Sequence, residues 1–153
     1  MSVHEKLAGL AGNWTGTNKL YLPWLPGGLW ESGSTSRVSL KVDGQFIGFE
    51  YTWSYEGKPH EGMLILGCDG KSDAVQAVWT DSWHNSDTLM LCDGTIDDNG
   101  KIDIKGYYAV PDHPDWGWRT EIIPGEISYR YVMYNVTPEG KEELAVETDF
   151  KRA

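Results

Sequence analysis

Cysteine is almost absent from this chain. The 153 residues include only two, Cys68 and Cys92, and these match no metal-binding spacing. Counting predicted strands puts them two strands apart, about 10 Å at roughly 4.8 Å per strand, which is beyond the reach of a disulfide. We therefore expect two free thiols, in a chain long enough to bury a core without disulfide staples.

Basic residues and long apolar runs are also scarce. The chain has 13 Lys and Arg against 23 Asp and Glu, a formal net charge of −10. Nucleic acids and anionic membranes are normally bound by clustered Lys and Arg, so we expect neither as a partner. No segment approaches the ~18 apolar residues of a membrane span, and the N-terminus does not resemble a signal peptide. These absences predict a cytoplasmic protein.

Turn signals, by contrast, are abundant and regular. They recur roughly every 12 to 16 residues, with a β-rich segment between each pair. Glycine supplies the positive φ that tight hairpins need. The pattern predicts one all-β domain over residues 1–153, a closed or nearly closed antiparallel meander barrel of about ten strands after a short N-terminal helix (3–11). The predicted strands are 13–21, 34–43, 45–55, 60–68, 73–82, 87–96, 101–110, 116–123, 126–136 and 141–151.

An apolar segment, residues 22–30, separates the first two predicted strands. Its prolines and glycines exclude a central strand, yet its large apolar side chains need cover from water. We expect it either to lie as a flap over the barrel mouth or to form the contact of a homodimer. The residues concerned are Leu22, Trp24, Leu25, Leu29 and Trp30.

A Gly-x-Trp sequence opens the first predicted strand, within Leu10-Ala11-Gly12-Asn13-Trp14. In this position it resembles the opening signature of calycin-like barrels, namely lipocalins, fatty-acid-binding proteins, nitrobindins and lipocalin-like domains of uncharacterised function. The last group is the most similar, through Trp79-Thr80-Asp81-Ser82 and Trp116-Gly117-Trp118-Arg119. The resemblance implies that Trp14 plugs one barrel end beneath a late-strand arginine, either Arg130 or Arg152.

The resemblance to nitrobindins raises the question of haem. That family binds haem through a histidine close to the C-terminus, and the predicted strand 141–151 contains no histidine. We therefore predict no haem and expect no other cofactor. We also expect no metal site, since His60, His84 and His113 share no ligand spacing.

The candidate ligand site centres on the end of the fifth predicted strand. Trp79, Asp81 and Trp83 alternate onto one face, so inward tryptophans imply an inward carboxylate that needs a partner. Arg119 is the expected partner; alternatively, Asp81 caps a turn and Arg119 pairs with Glu121 at the surface. Arg130, between two tyrosines, is similar to the carboxylate anchor of fatty-acid-binding proteins. The candidate ligand-binding residues are Trp53, Trp79, Asp81, Trp83, Trp118, Arg119 and Arg130.

Three functions fit this sequence. The first is a barrel that binds a small apolar or amphipathic molecule in an aromatic pocket. The second is an enzyme that uses Asp81, His84 or His113 for proton transfer or hydrolysis, although no nucleophile motif such as Gly-x-Ser-x-Gly occurs and no catalytic residue can be assigned. The third is a homo-oligomeric protein with a filled barrel that associates through segment 22–30.

Overall fold

The turn residues divide the chain into ten antiparallel strands that close into a barrel. The computed structural model describes residues 4–153. Each strand pairs with its sequence neighbours, and the first pairs with the last, so the predicted all-β meander barrel is confirmed and is fully closed. The elements are α1 (Glu5–Ala8), β1 (Gly12–Tyr21), β2 (Leu29–Lys41), β3 (Phe46–Tyr55), β4 (Lys58–Cys68), β5 (Ala74–Asp81), β6 (Met90–Ile96), β7 (Ile102–Val110), β8 (His113–Pro124), β9 (Ser128–Val136) and β10 (Glu142–Arg152).

Tight hairpins connect most of the strands. Between β3 and β4 only Glu56 and Gly57 are unpaired, and both have positive φ, 50° and 77°. Two successive left-handed residues match the right-handed twist of the flanking strands. This local chemistry explains why the turn pattern of the sequence predicts the strand order.

Three predicted strand starts differ from the structure by three residues or more. Strand β2 begins at Leu29 instead of residue 34, because Leu29 and Trp30 pair with the end of β1. Strand β8 begins at His113 instead of residue 116, since its first residue already pairs with Val110. Strand β6 begins at Met90 instead of residue 87, which lengthens the preceding loop to residues 82–89. The opening helix is only α1, and position 3 of the predicted helix lies outside the described residues.

One end of the barrel is plugged by Trp14, which is 1% exposed. Its indole N–H donates to the Leu10 carbonyl oxygen at 2.8 Å, so the chain after α1 is tied to the plug. The Arg152 guanidinium lies 4.1 Å from the Trp14 ring and also donates to the Ala11 carbonyl at 2.8 Å. Arg152, and not Arg130, is therefore the late-strand arginine above the tryptophan.

The opposite end, here called the mouth, is bordered by the connections 22–28, 56–57, 82–89, 111–112 and 137–141. Within the first of these, Leu22 is buried in the core of its own barrel. Trp30 belongs to β2 and packs edge-on against Tyr55, with ring centroids 5.1 Å apart. Trp24 is 69% exposed. The chain thus covers most of this apolar segment itself and leaves Trp24 in solvent.

The two cysteines lie on β4 and β6, separated by β5, and both are free, as predicted. Among the described residues, no helix is long and apolar enough to cross a membrane.

Candidate functional site

Asp81 ends β5 as a buried carboxylate, 1% exposed. One carboxylate oxygen, Oδ1, accepts the backbone N–H groups of Trp83 at 2.8 Å and His84 at 3.1 Å, which caps the following turn. The other, Oδ2, accepts the Tyr51 hydroxyl at 2.7 Å and the Trp53 indole N–H at 3.1 Å. All of these donors are neutral. The carboxylate is therefore fully hydrogen-bonded, but no cation neutralises it among these partners.

Gly62 makes the contact between Tyr51 and Asp81 possible. Tyr51, Gly62 and Asp81 lie side by side on β3, β4 and β5, so the tyrosine ring must cross the middle strand. A Cβ atom at Gly62 would lie 2.2 Å from the Tyr51 ring, so only glycine leaves room. The Tyr51 hydroxyl also accepts the Trp79 indole N–H at 3.0 Å. Burial, with help from Tyr131 and Asp81, raises the pKa of Tyr51 well above 10, so its hydroxyl stays protonated and donates.

His84 projects from loop 82–89 into a group of four tryptophans, which we call the aromatic cage. Its ring centroid lies 4.8 to 5.9 Å from theirs, and it is stacked on Trp53 with an interplanar angle of 29°. Burial lowers the pKa of His84 to about 4, although the Asp81 carboxylate opposes this shift. The imidazole is therefore neutral at pH 7. The cage consists of Trp53, Trp79, Trp83 and Trp118.

The His84 ring separates two spaces. On the inner side is a cavity bordered by Tyr51, Asp81 and Tyr131, with a volume of about 10 Å³, roughly the room for one water molecule. On the outer side is a groove of about 420 Å³ at the barrel mouth, here called the mouth groove. The interior is thus filled by side chains, and the open space lies outside His84. The aromatic residues that line the groove, besides His84, are Trp79, Trp83, Tyr107, Tyr108 and Trp118.

Two of the buried polar atoms that have no hydrogen-bond partner among the described residues are the Trp118 indole nitrogen and the Tyr131 hydroxyl. The Trp118 ring stacks on Trp79, with centroids 5.3 Å apart and an interplanar angle of 7°, and it lines the mouth groove. Buried polar groups in folded proteins are nearly always paired with protein or water. These two atoms are therefore places where a bound molecule or water gains a hydrogen bond.

Arg119 lies outside the barrel, so the expected pairing with Asp81 is corrected. Successive side chains of β8 point to opposite faces, and Trp118 takes the inward position. Arg119 binds Glu142 at 2.5 Å and Glu121 at 3.1 Å, and its guanidinium lies 4.4 Å from the Tyr134 ring. The alternative interpretation, a capping Asp81 and a surface pair of Arg119 with Glu121, describes the structure.

Arg130 also faces outward, where it pairs with Glu147. Its neighbours Tyr129 and Tyr131 are buried on the inner face. An arginine and tyrosines on opposite faces of one strand do not converge on a carboxylate. Of the seven candidate residues, the structure brings together Trp53, Trp79, Asp81, Trp83 and Trp118, and it separates the two arginines from them.

The histidines lie in different environments, which the sequence did not predict. His60 is buried beneath Trp53, with ring centroids 5.0 Å apart, and its Nδ1 lies 3.0 Å from the Ser82 hydroxyl. His113 is exposed at the start of β8. Among the described residues, no group of three or more His, Cys, Asp or Glu is placed to hold a metal ion.

Tyr51, Gly62 and Tyr131 were not among the candidate site residues. Tyr51 shares one face of its predicted strand with Phe49 and Trp53, and this shared face was the available signal. Gly62 carried no signal, because only the register of β3, β4 and β5 shows what its missing side chain permits.

A larger concavity, about 1080 Å³, lies on the outer surface of strands β1 to β5. Short side chains form its floor, among them the exposed Thr15, Thr35 and Thr52. Thr35 and Thr52 hydrogen-bond each other at 2.7 Å, which occupies their polar atoms. Tyr51, Gly62 and Asp81 also border this concavity. We place the candidate site at the mouth, because the tryptophan rings converge there on His84.

Comparison with known proteins identifies the family. No curated protein matches the chain. Its structure is similar to the crystal structure of Rv2717c from M. tuberculosis, with 15% sequence identity, a TM-score of 0.66 and 99% of each chain covered, a likeness that shows the fold alone. The model of the family described as "Protein of unknown function (DUF1579)" matches residues 1–152. The chain therefore belongs to the DUF1579 family.

Proposed function

We propose that this protein binds a compact amphipathic molecule in the mouth groove. The observation that carries the proposal is a groove of about 420 Å³ with aromatic walls, separated by the His84 ring from the buried Asp81 carboxylate. Small-molecule sites are typically concavities of about 300 to 1,000 Å³, mostly apolar, with a few fixed polar groups. The groove has this size, and aromatic side chains form much of its lining.

The closed meander also supports the calycin-like resemblance, since calycins are closed antiparallel barrels and this chain closes in sequential strand order. Trp14 with Arg152 above its ring fits the plugged end that the resemblance implies. Fold by itself does not determine function, so the proposal depends on the groove and on the groups that line it.

The catalytic alternative has weaker support. Both oxygens of Asp81 already accept two hydrogen bonds each, which leaves little capacity for a substrate proton. His113 is exposed on β8, whereas His84 is enclosed by tryptophans. The homodimer alternative has one specific observation in its favour, the exposed Trp24.

The test uses 1-aminoanthracene, a neutral fluorescent probe, titrated into freshly purified protein. We expect saturable binding with a blue-shifted emission, because aromatic side chains line the groove. Trp83→Leu removes one groove wall and should weaken binding about tenfold, the equivalent of about 1.4 kcal/mol. Trp24→Leu changes an exposed tryptophan outside the groove and should leave binding unchanged. Absence of saturable binding, or equal losses in the two variants, would contradict the proposal.

A further inference from the structure

Resting on the proposed function, we infer that the ligand is a compact organic cation, a substituted ammonium or a protonated heterocyclic amine. The structure assigns its charged group to the aromatic cage, where it replaces the imidazole of His84.

The cage has the composition of a cation site. Four indole rings surround one point, each with its centroid within 6 Å of the imidazole centroid. A cation within about 6 Å of an aromatic face is attracted by the ring quadrupole, most strongly by tryptophan and most of all when water is excluded. Two of the rings are held in place, because the indole N–H of Trp53 bonds Asp81 and that of Trp79 bonds Tyr51.

The charge inside the barrel favours a cation as well. The Asp81 carboxylate is 1% exposed, and only neutral donors bind it. A buried charge without a counter-ion is costly, and an opposite charge nearby offsets that cost. An anionic ligand would meet repulsion from Asp81 and from a chain of net charge −10. Arg119 and Arg130, the two arginines considered as ligand anchors, both lie outside the barrel and are paired with glutamates.

His84 can leave the cage without unfolding the loop. Its backbone N–H, and not its ring, bonds Asp81 at 3.1 Å, so rotation of the side chain preserves the cap of the turn. Among the described residues, the ring nitrogens have no hydrogen-bond partner that rotation would break. The mouth groove lies on the outer side of the ring and receives it. The ligand then exchanges a neutral imidazole for a full positive charge.

The available space limits the size of the ligand head. The inner cavity adds only about 10 Å³ to the volume that the imidazole vacates. A trimethylammonium or imidazolium group is of this order, whereas a large ring system is not. The rest of the ligand would extend into the mouth groove.

The test compares choline with 3,3-dimethylbutan-1-ol, a neutral molecule of nearly the same shape. Binding is measured by displacement of 1-aminoanthracene and by tryptophan fluorescence. We expect choline to bind at least about tenfold tighter than its neutral counterpart, because only choline gains the cation–π and carboxylate attraction. Equal affinity of the two, or no binding of choline, would overturn the inference.

Variants show which residues produce the preference for choline over its neutral counterpart. Asp81→Asn should reduce the preference for choline to less than about threefold, and Trp118→Leu provides a second reduction that does not disturb the capped turn. His84→Ala should tighten choline binding several-fold because the resident group is gone, whereas His113→Ala should change nothing. Choline binding that is unaffected by Asp81→Asn, Trp118→Leu and His84→Ala would reflect the acidic surface alone and would overturn the inference.

The two proposals fail differently. If 1-aminoanthracene binds and choline shows no advantage over its neutral counterpart, the groove binds small molecules but not cations. If 1-aminoanthracene does not bind, the proposed function fails, and the inference that rests on it fails as well.

Discussion

Gly62 controls the geometry of the candidate site by the absence of a side chain. The Tyr51 ring crosses β4 above this glycine and reaches Asp81 on the next strand. The tyrosine hydroxyl then links Trp79 to the carboxylate. The missing side chain at position 62 therefore lets Tyr51 hold one ring of the aromatic cage, that of Trp79.

Gly62→Ala should destabilise the protein by about 2 to 4 kcal/mol. The added methyl displaces a buried tyrosine and breaks its bond to a carboxylate, and each of these effects costs about 1 to 3 kcal/mol. Gly33→Ala is the matched control, since a Cβ on that β2 residue meets nothing within 4 Å; its effect should be within about 0.5 kcal/mol. Urea denaturation measures both, and equal stabilities would show that Tyr51 adapts without cost.

His84 should make the stability of the protein depend on pH. Its pKa is about 4 in the fold and 6.5 ordinarily, so between these values the unfolded chain binds the extra proton. The free energy of unfolding is therefore not reduced by His84 above pH 6.5. It falls by up to about 3 kcal/mol as the pH falls toward 4. The titratable groups that face the ring are Asp81, which opposes the shift, and His60, which adds to it.

The measurement for this prediction is the free energy of unfolding at pH values between 7 and 4. His84→Phe keeps a ring in the cage and should flatten the curve relative to the parent protein. His113→Phe changes an exposed histidine and should leave the curve unaltered. Parallel curves for the parent and His84→Phe would show that the ring is not held in its neutral form.

At the scale of elements, the site depends on three neighbouring strands and one loop. Strands β3, β4 and β5 bring Tyr51, Gly62 and Asp81 into one row. Loop 82–89 then turns back over the mouth because Asp81 caps its first residues. The early start of β2 places Trp30 at the rim, against Tyr55, instead of in a free flap.

Trp24 and Trp30 should respond differently to replacement by serine. Trp30 packs on its own barrel, so Trp30→Ser should destabilise the fold by about 3 kcal/mol, as expected for loss of a largely covered aromatic side chain. Trp24→Ser should leave stability within about 0.5 kcal/mol, because Trp24 is 69% exposed. We propose Trp24 as the centre of a homodimer contact, so Trp24→Ser should lower the mass in sedimentation. An unchanged mass would remove segment 22–30 as a dimer interface.

At the scale of the whole molecule, the barrel has one sealed end and one accessible end. Leu7 of α1 and Trp14 are buried at the sealed end, with Arg152 laid over the tryptophan. The mouth instead has the groove of about 420 Å³ and the half-buried His84. The aromatic rim of the mouth groove is therefore the route that we propose for a small molecule.

We predict that the protein does not bind haem. The reason is that the last strand contains no histidine. The inner cavity is also only about 10 Å³, so a porphyrin would have to displace several core side chains. Titration with haemin, followed by absorbance, should show no sharp Soret band. A sharp band that disappears in His113→Ala or His84→Ala would contradict the prediction.

The turn pattern and the alternation of side chains determined the strand order, the inward tryptophans and the inward Asp81, because hairpin geometry and strand periodicity are local properties. The partners of Asp81 were decided only by the tertiary structure. Tyr51 and Trp53 reach it through the register of β3, β4 and β5, while Arg119 lies on the opposite face of β8. The place of His84 was decided in the same way, since a loop residue has no periodicity to predict its direction. It lies inside the cage because a carboxylate on β5 caps its loop and closure of the barrel brings the tryptophans around it.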